Sequence, residues 1–150
     1  MESDLLGEMK VPKDAYYGVQ TLRGFYNYNI TGVRLSSFRN FIKAYGMVKK
    51  ACIIANGRLG LIKKEIVDAV SAACDDVIEG KLDDNFIVDM IQGGAGTSTN
   101  MCANEVIANR ALEILGHNKG EYTVVSPNDH INKCQSTNDT YPSSGKLGMY

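Results

Sequence analysis

Histidine is scarce in this chain. His117 and His130 are its only two, and neither shares metal-ligand spacing with the four cysteines, Cys52, Cys74, Cys102 and Cys134. The cysteines contain no C-x-x-C pair, which argues against a structural zinc and for reduced thiols in a cytoplasmic protein. Net charge is nearly absent too, at -1, so no basic field points to nucleic acid or to an acidic membrane surface. Long apolar runs are missing. Stretches such as Ala51 to Ala55 are far too short to span a bilayer, and the acidic opening MESDLLGEMK is not that of a signal peptide. The glycine-rich segment at 93–99 is not followed by Gly-Lys-Ser or Gly-Lys-Thr and does not spell G-x-G-x-x-G, so a nucleotide phosphate loop is a poor fit.

What is present fits one ordinary domain of 150 residues, large enough to bury a real core. Residues 1–35 lack helical periodicity and read as an extended arm or short hairpin anchored by Tyr16, Tyr17, Phe25, Tyr26 and Tyr28. Ser36 or Ser37 is positioned to cap a first helix whose period runs through Phe38, Phe41, Ile42, Tyr45, Val48, Cys52 and Ala55 to about Asn56. A second helix spans about Lys63 to Glu79, buries Ile66, Val67, Val70, Ala73, Cys74, Val77 and Ile78, and stops at Gly80. The short link between the two predicts antiparallel packing. A compact connector over 81–91 leads to the glycine loop and a third helix from Thr97 to about Leu115. Glu121 to Val125 reads as a short extended piece and 126–130 as a turn. A fourth helix is expected after Ser136, capped by Asn138 or Asp139, with Pro142 in its first turn. The chain stops before that helix is complete, as expected of part of a longer protein.

Two polar clusters carry the chemistry. In the first, Gln92 to Asn109, glycines at 93, 94 and 96 permit positive φ and close approach. They deliver the hydroxyls of Thr97, Ser98 and Thr99 to a helix start. Unpaired N–H groups at such a start, beside hydroxyls, favour an anion, carboxylate or phosphate. The second cluster, Gln135-Ser136-Thr137-Asn138-Asp139, gathers neutral donors at another helix start. Such donors bind carboxylates and strengthen their bonds as charge grows. The competing reading is that both clusters are ordinary helix caps.

These motifs resemble the aspartase/fumarase superfamily, in its N-terminal part and on the aspartase side. The resemblance runs from Asp4-Leu5-Leu6-Gly7-Glu8 through Val11-Pro12, Asp14-Ala15-Tyr16-Tyr17-Gly18, Thr21-Leu22-Arg23 and Val48-Lys49-Lys50-Ala51. It is densest at QGGAGTSTNM with Asn104-Glu105-Val106, and from Pro127-Asn128-Asp129-His130 through Asn132-Lys133-Cys134 to Asp139. It implies a mainly α fold: an N-terminal lyase domain over 1–135 with an extended arm or short hairpin, then the truncated start of a central helical domain over 136–150, without the long-helix bundle. The implied reaction is reversible elimination of ammonia from L-aspartate to give fumarate, by proton abstraction and an aci-carboxylate intermediate. No organic cofactor is implied, and a divalent cation such as Mg is a family activator. The implied partners are L-aspartate, fumarate and further copies of the chain in a homotetramer.

By that similarity Thr97, Ser136 and Thr137 donate to the side-chain carboxylate and Asn138 holds the ammonium group. Ser98 shapes the loop, Arg23 attracts a dicarboxylate or makes an arm salt bridge, and His130 has a structural hydrogen-bonding role. Glu105 orients a neighbour rather than abstracting a proton, and Lys49 and Lys50 read as a solvated helix face or subunit contact. No catalytic residue is expected within these 150 positions, because the family's base serine belongs to a later segment, and no metal ligands are expected. Cys102 and Ser143 depart from the family's usual asparagine and threonine. The alternatives are a fumarate hydratase, less favoured because Ser126 replaces a common histidine before Pro127, and a noncatalytic assembly module.

Overall fold

In the structure, a computed structural model that describes the backbone of residues 1–150 and every side chain except that of Ser3, the chain opens with a hairpin. Strand β1 (Glu2–Asp4) pairs antiparallel with β2 (Gly7–Met9), Glu2 opposite Met9 and Asp4 opposite Gly7. The arm does not stay extended beyond this. Residues Val19–Asn27 form helix α1, which the sequence reading missed. Its N-cap position is Gly18, which has no side chain to cap with. The cap is supplied from far along the chain: the Glu105 carboxylate accepts from the N–H groups of Gly18, Gln20 and Thr21 and from the Thr21 hydroxyl, at 2.6–3.0 Å. Glu2 accepts from Val19 N at 3.0 Å. A Cβ at position 18 would lie 2.5 Å from the Tyr122 hydroxyl and 2.8 Å from Glu105 Cδ, so any larger residue there displaces the side chains that form the cap.

Ser36 and Ser37 do not cap a helix. They lie in a 3₁₀ turn (Leu35–Ser37) bound to the connector through Leu35 N to Val88 O and Ser36 N to Phe86 O. Helix α2 follows over Arg39–Arg58 and α3 over Lys64–Glu79, with Gly80 left-handed at its end. They are antiparallel as expected: Gly46 meets Val77 and Ile78, and Gly57 meets Val67. The buried face of α2 is rotated by about one position from the expected one. Ile42, Tyr45, Lys49, Ile53 and Asn56 are buried, whereas Val48 and Cys52 are half-buried and Ala55 is exposed.

Helix α4 (Thr97–Ile114) runs through the middle of the molecule and is buried on most of its circumference, as a central helix must be. Val106, Ile107, Ala111 and Leu112 enter a core shared with Ile42, Tyr45 and Ile53 of α2, Val70, Cys74 and Val77 of α3, and Phe86 and Val88 of the connector. Residues 121–125 form turns rather than an extended piece. Residues Pro127–Ile131 make one π-helical turn capped by the Ser126 hydroxyl on Asp129 N. The last helix, α5, spans Thr137–Met149 and is capped by Ser136, not by Asn138 or Asp139. Pro142 therefore falls in the second turn. Despite Ser144, Gly145 and Gly148, α5 forms and packs against α2, where Gly148 approaches the Asn40 and Phe41 backbone. Among the described residues no helix is long and apolar enough to cross a membrane.

Candidate active-site segment

The glycine loop is shaped from both sides. Gly94 and Gly96 take φ of 69° and 82°, and Gly93 passes Tyr28 so closely that an added Cβ would lie 3.0 Å from its hydroxyl. Gly96 is the N-cap position of α4 and offers no side chain. Gln92 replaces it: its Oε1 accepts from Thr99 N at 2.9 Å, and its Nε2 donates to Thr99 Oγ1. Thr99 is thereby turned inward and buried, so it leaves the set of three hydroxyls read from the sequence. Thr97 and Ser98 remain at the helix start, where the first N–H groups have no intrahelical acceptor. Both line a cleft of about 930 Å³ whose other walls are Gly93 and Gly94, the hairpin tip Asp4 to Leu6, Gln20, Arg23, Asn27 and Tyr28 of α1, and Ser126 to Asn128. Thr97 is exposed; Ser98 is half-buried against Gly24 of α1.

Arg23 shares this cleft, but its Nε and Nη2 are engaged. Its Nε and Nη2 bind the Asp4 carboxylate at 2.9 Å each, and Nη2 also reaches Gly7 O at 3.0 Å. The guanidinium holds the Asp4 carboxyl below its ordinary value and fastens the hairpin to α1. Glu105 is 2% exposed, and burial pushes its carboxyl up against the opposing pull of its four donors. It caps α1 instead of facing a proton to be abstracted.

Ser136, Thr137 and Asn138 stand at the start of α5, outside the walls of that cleft. The Ser136 hydroxyl accepts from Asn138 N at 3.2 Å, which leaves its own proton free to donate. Ser136 and Asn138 are exposed and Thr137 is half-buried. His130 is held structurally: its Nδ1 accepts from Ser126 N at 2.9 Å, which places the neutral ring's proton on Nε2. Burial lowers its pKa, with Asp129 opposing.

The two polar clusters are joined behind their exposed faces by residues that the sequence reading did not assign to the site. Lys49 is 1% exposed, not on a solvated face, and its Nζ donates to Asn100 Oδ1 (2.8 Å), Gln135 Oε1 (2.9 Å) and Asn132 Oδ1 (3.1 Å). Thr140 of α5 donates to the same Asn100 oxygen at 3.0 Å, and Asn100 Nδ2 and Asn104 Nδ2 both donate to Asn132 Oδ1. Three neutral amide oxygens thus surround a buried cation, and burial pushes its pKa down to about 7. The signal was in the period: residues 42, 45, 49, 53 and 56 are one helical face. Lys50, in contrast, pairs with Asp75 at the half-exposed surface.

Cys102 is fully buried and its Sγ donates to Asn85 O at 3.6 Å, on the connector and not on the glycine loop. Ser143 is exposed. Among the described residues no three His, Cys, Asp or Glu side chains converge to hold a metal ion.

A helix start and a second, neutral-donor helix start in one mainly helical core define a class, and comparison places the chain in it. Residues 7–150 match a family model described as lyase, and the chain belongs to that family. It is 55% identical to the aspartate ammonia-lyase of Helicobacter pylori strain J99 over 150 residues, all of this chain and 32% of that protein. It is 56% identical to that of a Bacillus species over 149 residues, 99% of this chain and 31% of that one. Its fold matches that of fumarate lyase:delta crystallin from Brucella melitensis with a TM-score of 0.97 at 50% identity, covering 99% of this chain and 33% of that one. A class II fumarase from Schistosoma mansoni gives 0.91 at 36% identity, over 99% of this chain and 31% of that one. The mainly helical fold is that of the N-terminal domain of fumarase-like lyases. The chain spans about a third of the length of the curated relatives it matches.

Proposed function

We propose that this chain is the N-terminal segment of an enzyme that reversibly deaminates L-aspartate to fumarate and ammonia. The observation that carries the reading is the joining of two neutral-donor helix starts, at Thr97 and at Ser136, through Asn100 and Thr140. The similarity to aspartate ammonia-lyases over the whole chain, higher than that to the class II fumarase, supports ammonia over water as the leaving group.

The difficult step is loss of a weakly acidic proton from the carbon next to the side-chain carboxylate. A base takes the proton, and the electron pair moves into that carboxylate to give an aci-carboxylate with two negative charges. The pair then returns to form the C=C bond, and the C–N bond breaks with its electrons on nitrogen, releasing ammonia. Thr97, Ser136 and Thr137 act by donating to the oxygens on which charge accumulates, where a donor of this type is worth about 3 kcal/mol in the transition state. Asn138 orients the departing amine. In this reading the base serine lies past residue 150. The segment 1–135 is an N-terminal lyase domain and 136–150 is the start of a central helical domain. The active enzyme is a cytoplasmic homotetramer, needs no organic cofactor, and is activated by a divalent cation held outside this segment.

The test is fumarate absorbance with L-aspartate as substrate. The 150-residue chain alone is expected to give no signal above blank, and the full-length enzyme to release fumarate and ammonia in equal amounts. Conversion of fumarate to malate by the full-length enzyme, without ammonia release from aspartate, contradicts the proposal and favours a hydratase.

A further inference from the structure

Tyr141 of α5 lies against the glycine loop. A Cβ built on Gly96 would fall 2.0, 2.3 and 2.4 Å from the Cδ2, Cε2 and Cγ atoms of the Tyr141 ring, so the ring lies directly on the Gly96 backbone. Gly96 is left-handed, with φ of 82°, and immediately precedes Thr97. The ring also meets Phe41 of α2 edge to face, with centroids 5.4 Å apart and planes at 87°. Thr140, its neighbour in sequence, binds Asn100 one turn into α4. The ring is therefore wedged between α2 and the cap of α4, while its own helix begins with Ser136, Thr137 and Asn138. Among the described residues its hydroxyl makes no hydrogen bond, so shape and not polarity defines the contact.

We propose that Tyr141 is a positioning residue: its ring, seated on Gly96, fixes the start of α4 against the start of α5 and so sets Thr97 relative to Ser136, Thr137 and Asn138. This rests on the reading that both starts serve one carboxylate. The mechanism is geometric. Donors stabilise a growing charge only where they already point at it, and a displacement of about 1 Å costs on the order of 100-fold in rate. A bulky planar side chain against a glycine backbone tolerates little displacement, because interiors are close-packed.

The experiment uses the full-length enzyme with Tyr141→Phe, Tyr141→Leu and Tyr141→Ala, each also combined with Thr97→Ala. Tyr141→Phe is expected to keep wild-type kcat, because the hydroxyl is unused. Tyr141→Ala is expected to lower kcat about 100-fold with a smaller change in KM. In the Thr97→Ala background the same change costs much less, because Tyr141 acts through Thr97. Tyr141→Leu carries the same comparison if the alanine variant does not fold. Full additivity with Thr97→Ala, or a phenylalanine variant as impaired as the alanine one, overturns the proposal. Amide hydrogen exchange separates this inference from the reaction assigned above. Exchange over 96–100 and 136–140 is expected to rise in Tyr141→Ala and not in Tyr141→Phe, whichever substrate the enzyme uses. Unchanged exchange there removes the lock even if aspartate is deaminated.

Discussion

At the start of α4 the cap comes from outside the helix, from Gln92; at the start of α5 it comes from Ser136, the N-cap residue itself. Both segments are rich in serine, threonine and asparagine, and in sequence they look like one device used twice. The structure separates them. The Gln92 cap releases Thr97 and Ser98 to a walled cleft and buries Thr99 beneath it. The Ser136 cap keeps the hydroxyl at the surface, where it serves as acceptor to its own helix and retains a proton to donate. Which hydroxyl is free for a ligand depends on where the cap comes from, and composition alone does not reveal that.

The comparison breaks most sharply at the glycines. Gly96→Ala forces a Cβ into the Tyr141 ring at positive φ and is expected to cost about 3 kcal/mol or more. Gly94→Ala, also at positive φ but with open space around it, is expected to cost about 1 kcal/mol. Denaturant midpoints measure both; equal losses would mean that the ring contact is unimportant. Gln92→Ala removes both bonds to the buried Thr99 and is expected to cost about 2 kcal/mol. Ser136→Ala loses one exposed cap and costs about 1 kcal/mol. A reversed order in thermal melts would contradict the assignment of the two caps.

Two pH dependences are smaller tests of what lies behind the loops. The Lys49 pKa is lowered from 10.5 to about 7, so the unfolded chain binds more protons between these values and the group's contribution to stability rises with pH across that window. The titratable groups facing it are the thiols of Cys52 on its own helix and Cys74 on α3, and burial pushes both thiols up. Stability measured from pH 7 to pH 10 is expected to show this rise in the wild type and to lose it in Lys49→Met. On the acid side, burial opposes ionisation of Asp89, but the N–H groups of Ile91, Thr31 and Gly32 and the Thr31 hydroxyl prevail and hold its carboxyl at about 2. Its stabilising contribution is full above pH 3.8 and is lost as pH falls toward 2, a loss that Asp89→Asn should remove from acid titrations followed by circular dichroism.

Helices α2, α3 and α4 were legible because their apolar residues recur with a helical period and because Gly80 and Gly116 mark two of their ends, whereas α5 was expected only from the polar residues and Pro142 at its start. Helix α1 was not legible, because its cap is a carboxylate 84 to 87 residues away, its N-cap position is Gly18 and its own sequence contains Gly24. The buried face of α2 was misjudged for a related reason. Lys49 and Asn56 occupy core positions that only become tolerable once Asn100, Asn132, Gln135 and the Lys133 carbonyl arrive from other segments. For the site, Thr97 and Ser98 were visible as hydroxyls after a glycine turn. The Gln92 cap, the Lys49 hub and the Tyr141 wedge were not, since each is a tertiary contact between residues of unremarkable local pattern.

The central claim is that the starts of α4 and α5 serve one developing charge. Its most direct test is steady-state ammonia release from L-aspartate by the full-length enzyme carrying Thr97→Ala or Ser136→Ala. Each substitution is predicted to lower kcat on the order of 100-fold while the protein remains folded. Wild-type kcat in either variant would contradict a shared site and leave that helix start as a cap alone.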